Sequence, residues 1–303
     1  MSNKTRLAEA GYDTTIRKHF AQEARTHGAA PTSTMADEIV RSKETEVICE
    51  AVATFVREQR AHDPLNNECV EGQRRNGVFH IVDLGCGNGT TLCEIARTNT
   101  TQEAPQLLLT GVEYTPELRA IAEERLSEFE NARVLAGDVR TIDSNQCEPG
   151  DVIILQRVLI NLLDRADQNR ALDNVVSLLR PGGLLVAIES FETGLVELNS
   201  ARLEFGLSEL TPAHHNLYLT SGFFDHPSLA PYEPNSGIGV AENFLSTHYF
   251  VSRVLHEAWQ KETGESSKRN SHFVRFFSAA LPDGVGAYSP LKFILRRKVP
   301  TNK

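Results

Sequence analysis

Apolar residues recur along this 303-residue chain with two different periods. In residues 31–60, Ile39, Val40, Val47, Ile48, Ala51, Val52, Phe55 and Val56 fall at helical spacing, which predicts one or two helices. An earlier helix is predicted over residues 14–25. Residues 60–77, RAHDPLNNECVEGQRRNG, are polar and rich in turn formers, so they read as a linker or surface loop. The pattern then switches to short apolar runs. VFHIVDLG (78–85), QLLLTGVE (106–113), ARVLAGDV (132–139), DVIILQRV (151–158) and LLVAIES (184–190) read as buried strands. Amphipathic segments lie between them. One helix covers residues 90–97. Another has Thr115 as its cap, Pro116 at its first position and a stripe of Leu118, Ile121, Ala122, Leu126 and Phe129. A third covers residues 168–179, with Leu172, Val175, Val176 and Leu179 on one face, and RPGG stops it.

Strands alternating with helices imply right-handed crossovers and a parallel sheet with both faces covered. That is a doubly wound α/β fold, and its ligands belong at the carboxyl ends of the strands. Past Ser190 the regularity fades. Residues 191–243 mix prolines, glycines and polar residues without a clear period. FLSTHYFVSRVL (244–255) fits a strand or a helix; as an exposed edge it would pair two subunits into a homodimer. HFVRFFSAAL (272–281) has helical spacing at Phe273, Phe276, Phe277, Ala280 and Leu281, and SPLKFILRR (289–297) reads as a terminal strand.

A net charge of -9 gives no global basic footprint for nucleic acid or an anionic membrane, so neither partner is expected. The five cysteines show no C-x-x-C pair, which excludes a zinc knuckle and a thioredoxin-type motif and suits reduced thiols in the cytosol. The N-terminus has no apolar h-region, and no apolar run is long enough to span a membrane. The expected location is cytoplasmic.

The chemistry concentrates in HIVDLGCGNGTTL (80–92), where Gly85, Gly87 and Gly89 follow a strand. A nicotinamide or flavin fingerprint needs a small sixth residue, and Thr90 stands there. Asp83 precedes the loop. Its carboxylate disfavours a pyrophosphate and favours a cationic ligand, so an NAD-dependent oxidoreductase ranks last. Glu113 ends the second strand, where a carboxylate accepts both ribose hydroxyls. Asp138 ends the third strand and suits an adenine amine, with the Val139 N–H donating to a ring nitrogen. Gln156 ends the fourth and faces the same crevice. Each has a plainer explanation: a helix cap for Asp83, a solvated strand end for Glu113, a capped turn for Asp138. Their joint placement points to an adenosyl ligand without phosphates.

On these residues the chain resembles the class I S-adenosylmethionine-dependent methyltransferases. VDLGCGNG (82–89), VEYTPE (112–117), AGDV (136–139) and LLRPGG (178–183) match that family's motifs over about residues 78–190. The resemblance implies a Rossmann-like, mostly parallel seven-stranded sheet and S-adenosylmethionine as methyl donor, with S-adenosylhomocysteine as product. It implies Gly85, Cys86, Gly87, Asn88 and Gly89 along the methionine moiety, Asp83 near its amino group, Glu113 with Tyr114 at the ribose, and Gly137, Asp138 and Val139 near adenine. STMADEIVRSKE (33–44), QRVLINLLDRADQNRAL (156–172), ELNSARLEFGL (197–207), HNLYL (215–219) and FLSTHYFVSRVL resemble, more loosely, bacterial methyltransferases of surface-polysaccharide or other small-molecule biosynthesis. That likeness implies one catalytic unit: a helical cap over 1–70, and a methyltransferase domain over 71–303 with a substrate-covering insertion at about 191–243.

Methyl transfer is an in-line displacement, so a base is needed only for a hydroxyl or protonated amine acceptor. Glu189, His214 and His215 are the catalytic candidates. Glu189 ends the fifth strand, with a partnership to Arg157 or Arg202 as the alternative; the histidines have a surface-loop alternative. Arg157 and Arg202 suit a carboxylate or phosphate on the acceptor, and Asn161, Asn216, Tyr218 and His248 complete the substrate-binding set. Asn161 alternatively caps a helix. Arg41 is expected to fold over the cofactor carboxylate, or else to pair with Asp37 and Glu44 on a helix surface. No spacing suggests a metal site. The expected activity is methylation of a small molecule or saccharide-type acceptor, O-methylation first and N-methylation next. An RNA or protein methyltransferase and a non-catalytic partner subunit are the alternatives.

Overall fold

The computed structural model describes residues 3–28, 30, 35, 37–62, 77–99, 105–234 and 239–300, with side chains from residue 12 onward. Most of the linker read at 60–77, and part of STMADEIVRSKE, lie outside the described residues. Seven strands form one Rossmann-like sheet in the order β3-β2-β1-β4-β5-β7-β6. They are β1 (Val78–Leu84), β2 (Gln106–Glu113), β3 (Ala132–Ala136), β4 (Gly150–Gln156), β5 (Leu179–Ser190), β6 (Leu229–Pro231) and β7 (Leu291–Lys298). β1 to β5 run parallel, β7 pairs antiparallel with β5, and β6 with β7. The helices are α1 (Asn3–His27), α2 (Glu38–His62), α3 (Thr90–Thr98), α4 (Pro116–Leu126), α5 (Arg165–Leu178), α6 (Glu192–Glu204), α7 (Ser246–Phe250), α8 (His256–Thr263) and α9 (His272–Ala280).

Alternate strand residues enter two cores. Ile81, Leu109, Ile154 and Val186 pack with Val40, Ile48, Val52 and Phe55 of α2 on one face. Val82, Ile153, Leu155 and Leu185 pack with Leu172, Val175 and Val176 of α5 on the other. Burial on both faces explains why these strands read as continuous apolar runs.

Several local expectations change. RPGG does not merely stop α5: it forms the start of β5, with Gly182 at φ 74° and a register shift opposite Gly150–Val152. Thr115 holds the N-cap position of α4, but its side chain makes no capping bond. β3 ends at Ala136, so Asp138 stands two residues beyond the strand. FLSTHYFVSRVL is helical, not a sheet edge. α7 runs through a π-helical turn (Val251–Leu255) into α8, and Ser246, Thr247, His248, Val251, Ser252 and Val254 are buried. It therefore offers no strand edge for a second subunit. α6 was hidden because Gly194 sits in its first turn; a Cβ there would fall 2.1 Å from the Ser289 carbonyl, so only glycine lets the helix lie on that backbone. α9 forms as expected but buries Val274 and Ser278, leaving Phe276 64% exposed.

Candidate active site

The first three glycines of the crossover from β1 to α3 hold left-handed backbone. Gly85 has φ 81°, and a Cβ there would meet Val158 at 2.5 Å; Gly89 has φ 75°, and its Cβ would meet Ala122 of α4 at 3.2 Å. The loop therefore folds tightly only with glycine at these positions. The Gly85 and Cys86 N–H groups donate to the Val112 carbonyl, and Gly87 N–H donates to the Glu113 carboxylate at 2.9 Å. Thr115 N–H donates to the other Glu113 oxygen at 2.7 Å. Glu113 thus ties the glycine loop to the start of α4. Burial raises its pKa, and these N–H groups oppose the rise.

Asp83 lies fully buried behind the loop, and its Oδ1 has no hydrogen-bond partner. Burial pushes its pKa up to about 7, with Arg41 opposing the rise and Glu113 adding to it. Arg41 comes from α2, is 6% exposed, and donates to the Thr91 hydroxyl at 3.3 Å while its Nε is without a hydrogen bond. Burial first, then Arg157, lowers its pKa to about 10. It is therefore not a helix-surface ion pair. Gln156 joins the same interior, accepting from Thr91 at 2.8 Å and donating to Glu44 at 2.8 Å.

A cavity of about 760 Å³ opens over the strand ends. It brings together Arg41, Gly85, Cys86, Gly87, Glu113, Tyr114, Gly137, Asp138, Val139 and Gln156 with Arg157, Asn161, His215, Asn216 and Tyr218. Asp83, Asn88 and Gly89 stand behind its wall. The Asn88 amide donates to the Ala30 carbonyl at 2.9 Å, which anchors the chain before α2. Asp138 is gripped by Arg140 (Nη2 at 2.6 Å), which also reaches Asp13, Asp167 and the Tyr12 hydroxyl. With Arg17 over the Tyr114 ring at 4.1 Å, these contacts lay α1 across the strand ends.

Arg157 is the one described non-glycine residue with positive φ, at 57°, directly after β4. Its Nε lies 3.1 Å from Glu44. The Asn161 amide donates to the Arg157 carbonyl at 2.7 Å rather than capping a helix, and Asn216 donates to Asn161 at 3.0 Å. His215 stacks on His19 of α1 with centroids 3.8 Å apart. Burial, then the neighbouring His19 and His214, lowers the His215 pKa to about 4; burial lowers that of His19. Both lining imidazoles are neutral at pH 7.

Four acceptor-side candidates do not reach the cavity. Glu189 is fully buried and accepts from the N–H groups of Val158, Leu159 and Ile160 at 2.8, 2.9 and 3.3 Å, so its carboxylate holds the turn after β4, with the Arg157 charge as a lesser influence. Arg202 donates to the Arg253 and Ser208 carbonyls and to Glu257, away from the main cavity. His248 is buried between Asp37 (3.1 Å) and Ser278 (2.9 Å). His214 packs edge-on to His215 and is not among the residues lining the main cavity. Tertiary packing instead supplies His19, Tyr249, Arg253, Glu257 and Arg269. None stands in a spaced motif. The FLSTHYFVSRVL stretch contains Tyr249 and Arg253, but nothing in it distinguishes those two from core residues. Among the described residues, no group of three or more His, Cys, Asp or Glu is placed to hold a metal ion, and no helix is long and apolar enough to cross a membrane.

Residues 82–185 match a family model described as a methyltransferase domain. Among solved structures, similarity extends to the N-methyltransferase NodS of Bradyrhizobium japonicum WM9 in complex with S-adenosyl-L-homocysteine: 23% identity, 46% of this chain, 64% of that chain, TM-score 0.33. A second NodS structure covers 81% of this chain and 97% of that one at 16% identity and TM-score 0.41. CalS10, an amino pentose methyltransferase from Micromonospora echinaspora, shows 26% identity over 46% of this chain and 48% of that one, TM-score 0.33. The chain thus spans less than two thirds of the NodS complex and about half of CalS10. No curated protein matches it.

Proposed function

We propose that this chain, whose residues 82–185 match a methyltransferase domain, is a class I enzyme that transfers the methyl group of S-adenosylmethionine to a small-molecule or glycan-precursor acceptor. The observation that carries this reading is the pair of buried, underused groups at the glycine loop, Asp83 and Arg41. An acid and a guanidinium without full partners, close enough to feel each other's charge beside the glycine loop, suit the ammonium and carboxylate of an amino-acid moiety. Glu113 serves the ribose, with Tyr114 beside it, and Asp138, steadied by Arg140, serves the adenine amine, with Gly137 leaving room and Val139 donating its N–H. Bound S-adenosylmethionine supplies a sulfonium-activated methyl group, so the protein's contribution is mainly proximity and alignment.

The cavity lies in the upper part of the usual range for ligand pockets, about 300–1,000 Å³, which suits a donor and an acceptor together. Open space beside the loop favours an enzyme over a cofactor-binding subunit. Covering by α1 favours a small acceptor over RNA or a protein. Arg157, Asn161, Asn216 and Tyr218 orient the acceptor, and neutral His215, supported by His19, takes a proton from its nucleophile. O-methylation stands first and N-methylation next. The test is calorimetric titration of cofactor-free protein with S-adenosylmethionine and S-adenosylhomocysteine, then transfer of labelled methyl to a panel of hydroxylated and amino-substituted saccharides. Absence of binding by both cofactor forms refutes the reading.

A further inference from the structure

We infer that the acceptor carries an anionic group, phosphoryl or carboxylate, held by Arg253 and Arg269 where the main cavity meets a second one; this deepens the methyltransferase reading and rests on it. Arg253, from the π-helical turn, and Arg269, from the connection between α8 and α9, both line the main cavity. A second cavity of about 520 Å³ shares Arg269 and Glu257 with the first, so these two side chains form the boundary.

Pairing the charges leaves a surplus. Arg157 lies against Glu44, Arg253 against Asp37 at 3.0 Å, and Arg202 against Glu257 at 2.7 Å. The Asp37 carboxylate is also engaged by His248 and Asn270, so it has little left for a second guanidinium. Arg269 has no hydrogen bond or ion pair among the described residues. In the second cavity Arg202, Lys261 and Arg269 face a single carboxylate, Glu257, and Lys261 donates to the Gly206 carbonyl at 2.6 Å. His256 adds nothing to this excess, because burial lowers its pKa and keeps it neutral. A cationic cluster in a chain of net charge -9 is a local construction.

The guanidinium of Arg253 is also the first cause of a lowered Arg269 pKa, the mark of two like charges held close. An anion between them relieves that repulsion and gains charge-assisted hydrogen bonds. Ser208, Ser267 and Gln260 add neutral polar groups to the wall. Arg41, at the glycine loop, remains for the cofactor, so the two anionic groups have separate partners.

The full-length chain saturated with S-adenosylhomocysteine is titrated calorimetrically with inorganic phosphate and, separately, with acetate at fixed ionic strength. Saturable binding is expected, weakened about tenfold or more in Arg269→Gln through loss of a charged hydrogen-bond donor, with S-adenosylhomocysteine affinity unchanged. Arg275→Gln, which removes a surface cation paired with Glu38, changes neither. Phosphate binding alone assigns a phosphoryl group, and acetate alone a carboxylate. No saturable binding of either, or equal binding in Arg269→Gln, overturns the subsite. Failure of S-adenosylhomocysteine to bind strikes the methyltransferase reading instead, and the same anion titrations on the free chain still judge the subsite.

Discussion

Asp83→Asn is expected to stabilise the cofactor-free protein while weakening its hold on S-adenosylmethionine. Asp83 is fully buried, and its Oδ1 accepts no hydrogen bond. Burial moves its pKa from the ordinary 3.8 to about 7, and that value already includes the attraction of Arg41. The folded value lies above the unfolded one, so the contribution of this carboxyl to stability is fully present below about pH 4 and lost as pH rises through 7. At about 1.36 kcal/mol per tenfold change in acidity, the ionised group at pH 8 costs the fold roughly 4 kcal/mol. Asparagine keeps the shape of the neutral acid and removes that cost. Urea denaturation of variant and wild type should differ by roughly this amount at pH 8, by roughly 1.7 kcal/mol near pH 5, and by about half a kcal/mol near pH 4. Calorimetry on the same samples should show S-adenosylmethionine affinity falling at least about tenfold, because the ammonium loses an ionic partner. A variant less stable than wild type at pH 8, or a difference independent of pH, refutes the reasoning.

Other outcomes follow from the same geometry. Arg140→Met strips the shared cation from Asp13, Asp138 and Asp167; for this partly exposed cluster the loss is about 2 kcal/mol, seen as faster amide exchange across residues 12–27 and weaker S-adenosylhomocysteine binding. Glu189→Ala leaves three N–H donors without acceptors and should lower unfolding free energy by about 3 kcal/mol or more; a catalytic loss at unchanged stability would restore Glu189 as a base. His215→Asn should lower kcat/KM about a hundredfold at pH 7 if it takes the acceptor proton. With its pKa lowered to about 4, the wild-type rate should lose this base only as pH falls towards 4, so an acid limb near 6.5 argues for another group.

The sheet was legible because β1, β2, β4 and β5 are buried on both faces, and burial on both faces writes a continuous apolar run; β3, at the sheet edge, is only partly buried. β6 was not, because three residues on a sheet edge carry no such run. FLSTHYFVSRVL was ambiguous because its polar members Ser246 and His248 are buried and satisfied by Val285 and Asp37, partners that only packing provides, while Ser252 turns back to the His248 carbonyl one helical turn earlier. Glu189 shows the opposite error. A carboxylate ending a strand at the crevice suggests catalysis, yet its oxygens turn back to hold the Val158–Ile160 N–H groups.

The cofactor end of the site is therefore largely a property of the sequence. The tight loop needs glycine at Gly85 and Gly89, and Glu113 and Asp138 stand at or just past the ends of β2 and β3, so each is marked by its place in a local strand pattern. The proposed acceptor end is a property of the tertiary structure. It assembles from His19 on the first helix, Arg157 after β4, His215 in an irregular segment, and Arg253 and Arg269 near the far end of the chain. No periodicity relates these positions. Their ionisation follows from depth of burial and the charges packed beside them, quantities that come into being only when the chain folds.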